Sequence, residues 1–166
     1  MPQRRLIFLS SLVLAVAALS PAAALGAAKG TDRPMSGTLT ATAHDNLATQ
    51  TSTIDGTFLF THLGKGTFHD DFTSFTLTGG NTFTFTSTET SVAANGDKLF
   101  VTNAGTGTLT STGSETTTVS TITGGTGRFA DASGTFTVTS VGVTVSTVGS
   151  IVTQTLTSTS EGQISY

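Results

Sequence analysis

From Ser36 onward the chain alternates apolar and polar residues with a period of two. The plainest stretch is Thr82-Phe83-Thr84-Phe85-Thr86-Ser87-Thr88-Glu89. Successive side chains of a strand point to opposite faces, so such a pattern builds a strand with one buried face. No stretch beyond residue 28 places apolar residues at helical spacing. Eight strand segments are predicted: Ser36–Ala43, Thr49–His62, Gly66–Leu77, Thr82–Ala94, Asp97–Thr110, Glu115–Thr123, Thr135–Ser146 and Gly149–Ile164. Between them lie Gly64-Lys65-Gly66, Gly79-Gly80-Asn81, Asn95-Gly96 and the weaker Val148-Gly149-Ser150, all of which carry turn chemistry. Short links make sequence neighbours antiparallel partners. The reading is an all-β chain folded as an eight-stranded antiparallel β-barrel, because closure removes the two edges an open sheet would expose.

Parity then assigns faces. Phe58, Phe60 and His62 share one, as do Phe68, Asp70 and Phe72. Phe75 and Leu77 fall out of step with the latter, which predicts a bulge near Thr73-Ser74. Phe83, Phe85, Ser87 and Glu89 share a face; so do Leu99, Val101 and Asn103, with Phe100 opposite. Phe136, Val138 and Ser140 align, after which Val141, Val143 and Val145 switch parity. If the phenylalanine faces form the lumen, then Phe58, Phe60, Phe68, Phe83, Phe85, Asn103 and Phe136 are candidate ligand-binding residues. Glu89, Asp70 and His62 are the candidate catalytic ones. Apolar surroundings raise the pKa of a carboxyl and suit it to acid–base work. The alternative places the same polar residues at the barrel rim, in water, since parity fixes a face and not a depth.

Composition supports the strand reading: the chain has 38 threonines and 18 serines, with only 10% charged residues. β-branched threonine favours strands over helices. The Thr-x-Thr faces also raise the reading of a surface-binding, ice-binding-like protein, although no fixed repeat supports one. Residues 1–28 read as a signal peptide: Arg4 and Arg5 precede the apolar run Leu6–Leu19, and small residues offer cleavage near Gly26–Lys29. Residues 29–35 read as a short lead-in and 36–166 as the barrel. The expected location is secreted, periplasmic or at the cell surface. Beyond residue 28 there remain 5 basic and 10 acidic residues, or −5. That balance suits neither nucleic acid nor, after cleavage, an anionic membrane. The chain has no cysteine, so core packing and hydrogen bonds alone must hold it. His62, His69 and Asp70 are residue types that suit a metal, but His69 and Asp70 point to opposite faces and no further ligand has motif spacing, so neither a metal nor a cofactor is expected.

Ile122–Phe136 reads I-T-G-G-T-G-R-F-A-D-A-S-G-T-F. Gly125–Ala130 fits a loose dinucleotide fingerprint, but Ser133-Gly134 ends any helix and no carboxylate follows about 20 residues on. Gly124, Gly125, Gly127, Phe129 and Gly134 are instead expected to build a structural turn. The segment, with Thr61-His62-Leu63-Gly64 and Ala94-Asn95-Gly96-Asp97-Lys98-Leu99, resembles the allene oxide cyclase and dirigent proteins, and within them a group of exported bacterial members. The resemblance implies a small antiparallel barrel that holds a hydrophobic molecule in its lumen. It implies either binding or a structural role without catalysis, or a cofactor-free cyclase or isomerase that steers ring closure. It also implies a possible homo-oligomer. No catalytic residue of those families is carried over onto this chain.

Overall fold

The computed structural model describes residues 30–166, so the segment read as a signal peptide lies outside the described residues. Eight antiparallel strands close into a single barrel in sequence order: β1 (Arg33–Asn46), β2 (Thr51–Phe60), β3 (Gly64–Gly79), β4 (Thr82–Ala93), β5 (Lys98–Leu109), β6 (Gly113–Gly125), β7 (Ser133–Val148) and β8 (Ile151–Ser165). One 3-10 turn, Gly127–Phe129, links β6 to β7. Strand β1 begins at Arg33, three residues inside the segment read as a lead-in, because Arg33 and Pro34 already pair with Ile164 and Gln163 of β8.

The turns follow glycine chemistry, with one shift. Gly80, Gly96 and Gly149 take positive φ at the expected reversals. The β2–β3 reversal, expected at Gly64-Lys65-Gly66, is made by Thr61-His62-Leu63, and Gly64 already belongs to β3. His62 itself sits at φ 70, the left-handed region that histidine visits more readily than most residues. The bulge expected near Thr73-Ser74 lies between Phe72 and Ser74, and it returns Phe75 to the inner face. After β7 passes Ser140 no bulge intervenes until Thr144, so Val141 and Val143 stay on the outside and are exposed.

The two ends of the barrel differ. The end carrying the β2–β3, β4–β5 and β6–β7 links, beside residues 30–33 and Tyr166, is filled. Phe58 stacks on Phe60 at 4.9 Å and Phe60 meets Phe136 edge-on at 6.1 Å. Met35, Leu63, Leu99 and Ile164 pack around them. Phe129, 0% exposed, is lowered over this core by the 3-10 turn. The turn is pinned to the β4–β5 link: Thr126 exchanges hydrogen bonds with the Lys98 backbone, and the Arg128 amide donates to Asp97. Gly125 leaves room there that a Cβ would take from Phe129 and the Lys98 carbonyl. The segment singled out as a structural turn is thus the stopper of one barrel end.

Candidate functional site

The other half of the barrel is hollow. A cavity of about 660 Å³ runs from the middle of the lumen to the β1–β2 and β5–β6 turns, where it opens. Its volume is typical of small-molecule sites. Leu47, Leu77 and Leu109 stand at this end with 63%, 58% and 40% of their surface exposed, and they make an apolar lip.

One pairing rule runs through the strands of both halves. Every buried phenylalanine of the strands lies directly across from a glycine: Phe60 from Gly37, Phe68 from Gly56, Phe58 from Gly66, Phe85 from Gly105, Phe83 from Gly107 and Phe136 from Gly162. A Cβ at any of these glycines would run into the partner ring or its neighbouring backbone. At Gly105 and Gly107 the obstructing atoms are the outer ring atoms of Phe85 and Phe83. These two rings therefore lie flat along β5 instead of crossing the lumen. Phe72 stacks on Phe85 at 4.7 Å and Phe75 packs on Phe83 at 5.1 Å, completing one aromatic wall.

The floor is polar. Asp70 on β3 pairs in register with Glu89 on β4, which places their side chains next to each other on the inner face. Asp70 is buried; its carboxylate accepts from Ser87 Oγ at 3.0 Å and from Asn103 Nδ2 at 3.4 Å. Burial raises its pKa, and the two hydrogen bonds pull in the opposite direction. Glu89 accepts from Ser91 Oγ at 2.6 Å. Part of its surface meets the cavity, but protein encloses the carboxyl on nearly all sides. Desolvation, with a smaller contribution from the charge on Asp70, pushes its pKa up to about 7. The floor thus holds two neighbouring carboxyl groups, both raised, and near neutral pH Glu89 is balanced between its two forms. Asn103 completes the cluster: its Oδ1 is buried without a hydrogen-bond partner.

A second polar group lines the wall nearer the mouth. Ser52 Oγ donates to Asp45 at 2.6 Å, Gln154 Nε2 donates to the other Asp45 oxygen at 3.0 Å, and Ser114 Oγ donates to Gln154 at 2.9 Å. This chain crosses β7 at Gly142, where a Cβ would meet Gln154 and Ser114. Sequence reasoning missed all four residues. Inward parity was their only signal, and among so many serines and threonines it does not single them out.

Of the residues expected in the lumen, Asp70, Glu89, Asn103, Phe68, Phe83 and Phe85 line the cavity. Phe58, Phe60 and Phe136 point inward but belong to the filled half, outside the cavity. His62 is not brought to the carboxylates. It is an exposed turn residue at the filled end, its Nε2 3.0 Å from the Pro34 carbonyl, because β2 ends two residues before it. His69 faces outward between Asp55 and Asp71, at 2.7 and 3.2 Å, and these carboxylates raise its pKa. Asp70 faces the lumen, so the two never share a site. No family model matches the chain, and neither does any curated protein or solved structure.

Proposed function

We propose that this barrel binds a small, mainly hydrophobic molecule in its lumen. The observation that carries the reading is the cavity itself: apolar and aromatic on its walls, open through a leucine lip at one end, sealed at the other, and equipped with a few convergent polar groups on its floor. Binding sites for small molecules combine those features. The resemblance of Ile122–Phe136 to the allene oxide cyclase and dirigent proteins, in which the barrel shapes a hydrophobic guest, points the same way. The test is a titration with the neutral dye N-phenyl-1-naphthylamine. A saturable, one-to-one rise in fluorescence is expected, and Ala43→Trp, which fills the lumen from β1, should abolish it. Binding that survives Ala43→Trp, or none at all, would overturn the proposal.

A second reading is favoured by one specific observation, the Glu89 carboxyl held near pH 7 beside Asp70 under an apolar cavity. A group so placed can donate and recover a proton within one turnover. It would serve a cofactor-free isomerase or cyclase, with the walls holding the substrate in a reactive conformation. The acidic floor disfavours a substrate that enters carboxylate first. An allene oxide generated in the presence of the protein should then close to a single enantiomer of the ring product, and Glu89→Gln should return the racemate. A racemic product from the wild-type chain would remove this reading.

The reading of a flat ice-binding surface gains no support from the outer face. Thr38, Thr159, Thr139, Thr117, Thr106, Thr84 and Thr76 are register partners in one exposed row. That row wraps around a closed cylinder, so its hydroxyls diverge.

A further inference from the structure

The lumen has charge of one sign only. Asp45, Asp70 and Glu89 line it, and among the described residues no lysine, arginine or histidine does. Buried charges in folded proteins are ordinarily paired. Asp45, near the mouth, is met only by the neutral donors Ser52 and Gln154. The floor carboxylates likewise receive only neutral donors, one of them at 3.4 Å; among the described residues no cation bonds to them, and His69, on the outer face, acts on Asp70 only through its charge. Asn103 adds an independent sign of a missing guest. It is 6% exposed, it lines the cavity, its Nδ2 is directed to Asp70, and its Oδ1 is left without a donor. A buried acceptor without a partner is costly. What this floor lacks, on three neighbouring groups, is a set of donors carrying positive charge.

We propose that the guest of the lumen is a hydrophobic amine, its ammonium seated among Asp70, Glu89 and Asn103 and its apolar body along the Phe83 and Phe85 wall. This rests on the lumen-binding reading and narrows it to a chemical class. An ammonium offers three donors to three acceptors and neutralises the floor. Aromatic faces add favourable cation–π contact along the approach. An alcohol of the same shape supplies one donor and no charge. A carboxylate brings a further negative charge to a site already acidic. Asp70 is the one titratable group facing Glu89 from β3, and β5 faces it with Val101 and Asn103, so no basic group on either side masks this selectivity.

The experiment compares 1-naphthylmethylamine, 1-naphthalenemethanol and 1-naphthoate at pH 7.5 on the purified chain. The naphthalene fluorescence is readable because the protein has no tryptophan and one tyrosine. The amine is expected to bind about tenfold more tightly than the alcohol, the gain of one charge-assisted contact, and the carboxylate more weakly than either. Asp70→Asn should close the gap, so that the variant binds the amine no more tightly than it binds the alcohol. Glu89→Gln, close in shape, should narrow the gap in the same direction and serves if Asp70→Asn does not fold. Equal affinities for amine and alcohol would overturn the inference while leaving lumen binding intact. Failure of all three probes together with N-phenyl-1-naphthylamine would overturn both; failure of the three while that dye binds would overturn the amine alone.

Discussion

Replacing Glu89 with glutamine should change how stability depends on pH, and by an amount the site itself sets. The carboxyl ordinarily titrates at 4.5 and is held at about 7 in the folded barrel. A raised carboxyl binds its proton more tightly folded than unfolded. Its contribution is therefore complete below pH 4.5 and is lost as pH rises through about 7. At 1.36 kcal/mol per pH unit, the interval corresponds to roughly 3 kcal/mol. Wild type should lose about that much relative to Glu89→Gln between pH 4.5 and 8. Glutamine keeps the size of the side chain and has no proton to give up. The assay is urea unfolding of both proteins at half-unit steps of pH, followed by far-UV circular dichroism. Asp70, also raised, titrates in both proteins and largely cancels from the difference. Two parallel stability curves across this window would refute the reasoning: Glu89 would then be solvated like any surface carboxylate, and its place on a desolvated floor would be wrong.

Further outcomes follow from other parts of the fold. Gly107→Val should push the Phe83 ring off β5 into the cavity, costing about 1–3 kcal/mol through overpacking and weakening N-phenyl-1-naphthylamine binding in the same titration; unchanged binding would refute the seating of Phe83 on Gly107. Phe129→Ala should cost about 3–5 kcal/mol, as expected for emptying a fully buried aromatic site, measured by urea midpoint. Loss of under about 1 kcal/mol would mean that the stopper does not hold the end closed. His62→Gly should fall within about 1 kcal/mol of wild type, since release from a left-handed backbone offsets the lost bond to Pro34, and dye binding should not change. A loss of binding would return His62 to the site.

How far the sequence carried is best seen residue by residue. The faces of Phe83, Phe85, Glu89, Asn103 and Asp70 follow from a period of two, and so does the bulge beyond Phe72, because any slip would turn a whole strand inside out. Depth did not follow. Phe58 and Phe85 share one pattern, yet one fills the sealed half and the other lines the cavity; only the closed register and the Ile122–Phe136 stopper separate them. His62 takes the rim place that the alternative reading gives it, because the chain turns at the histidine itself and not at the glycines that follow. The Phe–Gly opposition was present as glycines of inward parity at 105 and 107, but glycine in a strand is usually read as weakness and not as a seat for a ring. Asp45, Ser52, Ser114 and Gln154 come from four different strands, and nothing local marks them as a group.

The pairing of β1 with β8 has a kinetic side. Every other pairing in the barrel is a hairpin or nearly so, supplied by the link that joins its strands. This one sets Arg33 against Ile164, almost the full length of the described chain, and no turn brings them together. Loop-closure entropy must be met before these contacts return anything, which puts the seam late in folding and makes its formation the slow event. Until it closes, both outer strands present unpaired backbone to other copies of the chain. Joining the ends with a short linker and cutting the chain at the exposed Gly80 turn would move the seam to β3 and β4, turning the slowest contact into a local one without touching a single residue of the lumen.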